Sequence, residues 1–327
     1  MQPVTPHDFA TRSQAAASHS SPPAHGLFGP ASLSWRVNRE SALFLAAGRA
    51  SLLQLAHPWV AVALDQHSSI RRDPLARFHN TFRLVFPMVF GTTQQALAAS
   101  RHLYGLHTRI QGTLPETAGS HAQGSPYMAN EVEALLWVFA TLVESALVAH
   151  DAVLAPLTAA EREQYYADSL RLAALFGIPA AALPASWSAF QRYFAVMISS
   201  SQLSVAPLAL DLAHGVLHGT GTWLPVPGWY RALTAYWMPE PLRTAFAPAF
   251  GPAFGPADSR AHTDATARRA LRYLAASYRH WPAPVRFVGP YREAHARLHG
   301  RRPGPLTRLN NRFWTGAPRM LFAPPKA

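Results

Sequence analysis

The 327 residues are 49% hydrophobic and only 14% charged, which excludes a disordered chain and leaves enough apolar material for a large packed core. Twenty-nine Lys and Arg against 17 Asp and Glu give a formal charge of +12, nearly all of it Arg because Lys326 is the only lysine. There is no cysteine, so disulfides, iron–sulfur clusters, zinc–thiolate sites, thiolate-ligated haem and CxxCH-attached haem are excluded; any metal falls to His, Asp, Glu or Tyr, and there are 16 His.

Residues 1–34 are small, polar and Pro-rich, with no basic stretch leading into an apolar one. They read as a flexible arm rather than a signal peptide, and the expected location is cytoplasmic. A helical pattern follows over about 40–66, bent where His57 precedes Pro58, with Asp65, His67 and Arg71 at its end. Asp73-Pro74 is a cap followed by a first-turn proline and opens "PLARFHNTFRLVF". On this apolar helix Arg77, Asn80 and Thr81 share a face at spacings of four and three: a polar notch costly to bury without a purpose, or a strip facing solvent.

Thr92 and Gln95 form a capping-box pattern that opens the next helix, with Gly112 as its expected stop. Counting back from Ile110, the residues Leu106, Leu103, Ala99 and Ala96 make a continuous apolar stripe, and His107 sits on it. An imidazole there is either satisfied by a backbone carbonyl or a ligand for a metal or haem iron.

Asn130 with Glu133 is expected to open the most hydrophobic helix, which runs to about His150. Glu133 and Glu144 argue against a membrane span. Thr141, Glu144 and Ser145 form a second notch, where Glu144 needs a partner such as Arg77, in a structural or a catalytic role. Thr158 and Glu161 open a helix that Gly177 and Pro179 close, and further helices are expected at about 186–204, 206–218, 229–237, 262–280 and 289–299. The Pro/Gly-rich 247–259 reads as a loop or lid, and 301–327 as a basic, Pro-rich tail wrapped on one domain. His214 and His218 have metal-pair spacing but no third ligand nearby. No period-two alternation, internal repeat, di-metal carboxylate pattern, P-loop, GxGxxG or GxSxG occurs, so the fold class is all-α, a single large helical domain. The positive charge suits nucleic acid, anionic lipid or acidic ligands, or follows from an arginine-rich coding bias; no nucleic-acid motif accompanies it.

As a set, "QLAHPWVAVALDQHSSIRRDPLARFHNTFRLVFPMVFGT", "LYGLHTRIQG", "LLWVFATLVES", "LTAAEREQYYADSLRLAALFGIP" and "WPAPVRFVGPYREAHARL" resemble the family of latex-clearing rubber oxygenases and MpaB-type oxygenases over roughly residues 35–300. The resemblance implies globin-like core packing and a haem b whose proximal ligand is His107, with Arg77 and Thr81 near the haem. It implies dioxygen as co-substrate, and an alkene as substrate. Where rubber oxygenases carry a distal Lys, this chain has Asn80. Their distal Glu has no counterpart, since Glu40 is the only glutamate before Arg77, so Asp65, His67 or Glu144 would have to stand in. A cytoplasmic protein does not meet extracellular rubber, so the expected substrate is a small apolar or isoprenoid-like alkene, with an electron donor, no nucleic acid, and contact with a membrane surface without integral insertion, which in the haem-free alternative runs through the Arg-rich tail. The alternatives are a haem protein that is not an oxygenase and a haem-free helical module for a hydrophobic ligand.

Overall fold

The computed structural model describes residues 2–18, 22–220, 222, 226–251 and 257–321. It is 70% helical, and among the described residues there is one sheet, of two short strands. The elements in chain order are α1 (Pro6–Ser18), α2 (Leu33–Asn38), a 3-10 segment (Ser41–Ala46), α3 (Ala47–Leu55), α4 (Pro58–His67), α5 (Pro74–Phe90) and α6 (Thr93–His107). Then come β1 (Gln111–Thr113), β2 (Pro126–Met128), α7 (Val132–Val153), α8 (Ala159–Leu175), α9 (Trp187–Ser199), α10 (Pro207–His218), α11 (Gly228–Trp237), α12 (Glu240–Ala245) and α13 (Ala247–Phe250). The chain ends in α14 (Ala257–Ser277), α15 (Ala283–Arg286), α16 (Gly289–Leu298) and α17 (Pro305–Thr315).

The core is built around α7. By length and composition this helix is apolar enough to cross a membrane, yet Trp137, Phe139 and Ala140 are fully buried inside the protein. It shares one hydrophobic core with Leu52 and Leu53 of α3, Tyr165 of α8, Phe190 and Phe194 of α9, and Leu212 of α10, and Trp137 stacks on Phe194. A second layer is aromatic. Phe78, Phe82, Phe86 and Phe90 repeat at four-residue spacing along one side of α5, and the side chains of Phe44, Trp35 and Trp314 pack against that ladder.

The expected 40–66 helix divides. Proline at 58 has no N–H to continue α3, so the chain breaks at Ala56–His57 and restarts as α4. Both capping boxes form, at Thr92/Gln95 and Thr158/Glu161. The cap of α7 is Glu131, not Asn130: its carboxylate accepts from the amides of Glu133 (2.6 Å) and Ala134 (3.2 Å), while Asn130 instead donates to the carbonyl of Val4. Gly112 stops no helix. It lies in β1 opposite Tyr127, where a Cβ would stand 2.8 Å from the tyrosine hydroxyl. Within 247–259, the first four residues are the short helix α13, 252–256 lie outside the described residues, and α14 begins at Ala257.

Residues expected as a flexible arm form α1, held on α6 and α8. Val4 and Phe9 are buried, Phe9 stacks on Tyr104 with ring centres 4.3 Å apart, and the Val4 amide donates to Asn130 O. At the other end the expected tail holds α17, whose buried Trp314 joins the aromatic ladder.

Candidate functional site

The helices α5 and α6 form an antiparallel hairpin that turns at Gly91. At a rise of about 1.5 Å per residue, Arg77 and His107 each lie roughly 20 Å from that turn, so the hairpin brings them opposite one another. The Arg77 guanidinium donates to the Thr81 hydroxyl one turn on, and that hydroxyl donates back to the Arg77 carbonyl at 3.0 Å. Arg77 and Thr81 are therefore locked together, while Asn80, on the same helix, is exposed.

His107 is the last residue of α6. The stripe that leads to it is apolar: Ala96 and Ala99 are buried and Leu103 packs on the main core. The ring is half-buried, and burial together with the nearby Arg77 charge pushes its pKa down to about 4. Its ring makes no hydrogen bond to any described residue. At neutral pH His107 is thus a neutral imidazole with a free ring nitrogen.

Arg77 adds the complementary feature. Burial lowers its pKa, and no carboxylate lies within ion-pair distance among the described residues. An enclosed guanidinium without an anion is costly. The hairpin therefore presents, side by side, a free nitrogen ligand and an uncompensated cation.

Other candidates lie elsewhere. Glu144 does not pair with Arg77; its partner is Arg49 of α3, which also donates to Ser145 Oγ at 2.7 Å and to the Trp237 carbonyl at 2.8 Å. Burial raises the Glu144 pKa and the Arg49 charge opposes that shift. His67 is exposed at the end of α4, its Nε2 3.1 Å from the Tyr127 hydroxyl, which donates to Gln66 Oε1. Asp65 pairs with Arg71, and Glu40 accepts from Arg286 at 2.9 and 3.1 Å. His214 and His218 stack at 4.2 Å, and His218 Nδ1 lies 2.7 Å from Arg231. No group of three or more potential metal-binding side chains occurs among the described residues.

Two features escaped the sequence reading. Arg49 is the only charged residue of α3, which is itself a signal that something buried must answer it. His57 marks the bend as expected but is also completely buried, with both ring nitrogens unpartnered and its pKa pushed down to about 3 by burial and by His121, whose ring centre is 5.4 Å away.

Residues 35–322 match the family model described as ER-bound oxygenase mpaB/B'/Rubber oxygenase, catalytic domain. No curated protein and no solved structure matches the chain.

Proposed function

The chain belongs to the mpaB/rubber oxygenase catalytic-domain family, and on that premise we propose that it is a haem b-dependent oxygenase acting with dioxygen on a small apolar, isoprenoid-like alkene, with His107 as the proximal iron ligand. One observation carries the reading: a neutral, unpartnered imidazole and an enclosed, unpaired guanidinium face each other across one helical hairpin. Haem b asks for this pair of groups, a nitrogen donor for iron and a cation for a propionate.

Bound haem would supply the binding and activation of dioxygen. The protein's own contributions follow from the site. His107 offers its lone pair with no proton to displace, because its pKa of about 4 keeps it neutral across the physiological range. Arg77 would neutralise a propionate, and Thr81 holds the guanidinium in place. Leu103, one turn before His107 and packed on the main core, gives the imidazole an apolar neighbour that disfavours water and suits an apolar substrate. Asn80 is exposed on the same helix, and its amide cannot move a proton at neutral pH, so it does not replace the Lys of rubber oxygenases. Glu144 and His67 are engaged with Arg49 and Tyr127, and we assign them no proton-transfer role.

The test is to purify the protein from cells supplied with haem precursor, establish its haem content, and follow oxygen uptake with isoprenoid alkenes and ascorbate as electron donor. The proposal expects alkene-dependent uptake and an oxygenated product. Haem-loaded protein that consumes no oxygen with any alkene would reduce it to a haem protein without oxygenase activity.

A further inference from the structure

The end of the chain presents a surface that the oxygenase reading does not use. The 11 residues of α17 pack one side, Thr307, Asn311, Trp314 and Thr315, onto α5 and α16. The opposite side carries Leu306, Leu309 and Phe313, which are 59%, 64% and 62% exposed. Their spacing of three and four residues puts them on one stripe. Three large side chains so exposed on one short helix are unusual for a soluble surface, where exposed apolar residues are normally scattered.

The charge around the stripe selects its partner. Arg301 and Arg302 are exposed where the chain enters α17, Arg312 on the helix itself, and Arg319 where the chain leaves. Residues 294–327 contain no Asp or Glu at all, and Glu293 just before them is fully buried, with its carboxylate turned to Asn311 and the Met320 amide. A helix with an apolar outer stripe and arginines at both ends matches an anionic membrane surface: the stripe enters the acyl boundary and the guanidiniums meet lipid phosphates. Nucleic acid would use the arginines but leave the Leu and Phe side chains in water.

We propose that α17 docks the protein on anionic phospholipid through Leu306, Leu309 and Phe313, with Arg302, Arg312 and Arg319 holding the headgroups. Docking is independent of whether His107 binds haem. Three apolar side chains give weak attachment alone, and each arginine strengthens it by about fivefold, so binding is reversible and sensitive to salt.

The experiment is co-sedimentation of the full chain with phosphatidylglycerol–phosphatidylcholine vesicles and with phosphatidylcholine alone. Binding to the anionic vesicles only is expected, falling about tenfold or more in Leu309→Glu/Phe313→Glu and in Arg302→Ser/Arg312→Ser, and unchanged in Val196→Glu, an equally exposed position on α9. These side chains face solvent, so each variant keeps its fold, checked by circular dichroism. No binding to anionic vesicles, or binding that the Leu309/Phe313 pair leaves intact, overturns the proposal. So does a concentration-dependent dimer that the same pair abolishes without vesicle binding, because a second copy of the chain would then be the partner.

Discussion

Two histidines, His107 at the candidate site and His57 at the α3–α4 break, are kept neutral by burial. His107 has a pKa near 4 and His57 near 3, against an ordinary value of 6.5. The unfolded chain therefore binds these protons first, and stability is lost as pH falls from 6.5 towards those values. By pH 4 each histidine should remove on the order of 3 kcal/mol from the haem-free protein, read by urea unfolding across a pH series. His57→Leu should remove about half of that limb and leave stability at pH 7 unchanged or higher, since it also removes two unpartnered ring nitrogens. Arg77→Leu should raise the His107 pKa, because the nearby cation helps to depress it; nuclear magnetic resonance titration of the haem-free protein would show this, and an unmoved pKa would mean that Arg77 does not act on the ring. His107 draws attention in the sequence because an imidazole interrupts an apolar stripe, and the structure places it at the end of α6 near the Arg77 charge. The state of Glu144 was only half legible: composition said that it needed a partner, but Arg49 lies 95 positions away, and no local pattern links two residues joined only by packing.

Among the elements, helix starts were the most readable because caps are local chemistry. Thr92 with Gln95 and Thr158 with Glu161 both form the reciprocal bonds their spacing suggests. Thr92→Ala should cost about 1 kcal/mol in thermal or urea unfolding. Asn130 misled because it has the right chemistry for a cap while its neighbour Glu131 has the better geometry, with a carboxylate that also accepts from the Gln2 amide. The two-stranded hairpin was invisible, since strands of three residues are too short to show alternation. The contact of α3 with α7 through Arg49 and Glu144 is the element-level bond most exposed to mutation. Arg49→Ala strands a largely buried carboxylate and should cost about 3–5 kcal/mol, whereas the double change Arg49→Leu/Glu144→Leu should recover much of that loss.

For the whole molecule, the all-α class followed from the recurrence of caps and 3.6-residue stripes, and the structure agrees. The two ends of the chain did not follow. Their composition is polar and Pro-rich, yet a few apolar anchors suffice to hold them: Val4 and Phe9 for α1, Trp314 for α17. Such anchors are isolated in sequence and become meaningful only against the surface they fit. Gly177 shows how close the fit is. At φ +80° it adopts a conformation that favours glycine, and a Cβ there would come within 2.6 Å of Val4. Phe9→Ala should cost about 3 kcal/mol locally and open residues 2–18 to proteolysis, detectable as early N-terminal cleavage with the rest of the domain intact.

The most direct test of the central claim is the absorption spectrum of the protein and of His107→Ala, each purified from haem-supplied cells and recorded before and after dithionite and again with carbon monoxide. With His107 as the iron ligand, the native chain shows a Soret band that shifts on reduction and with carbon monoxide, and the variant loses it. A colourless native protein that takes up no haem on titration, or a His107→Ala variant with full haem content, would contradict it.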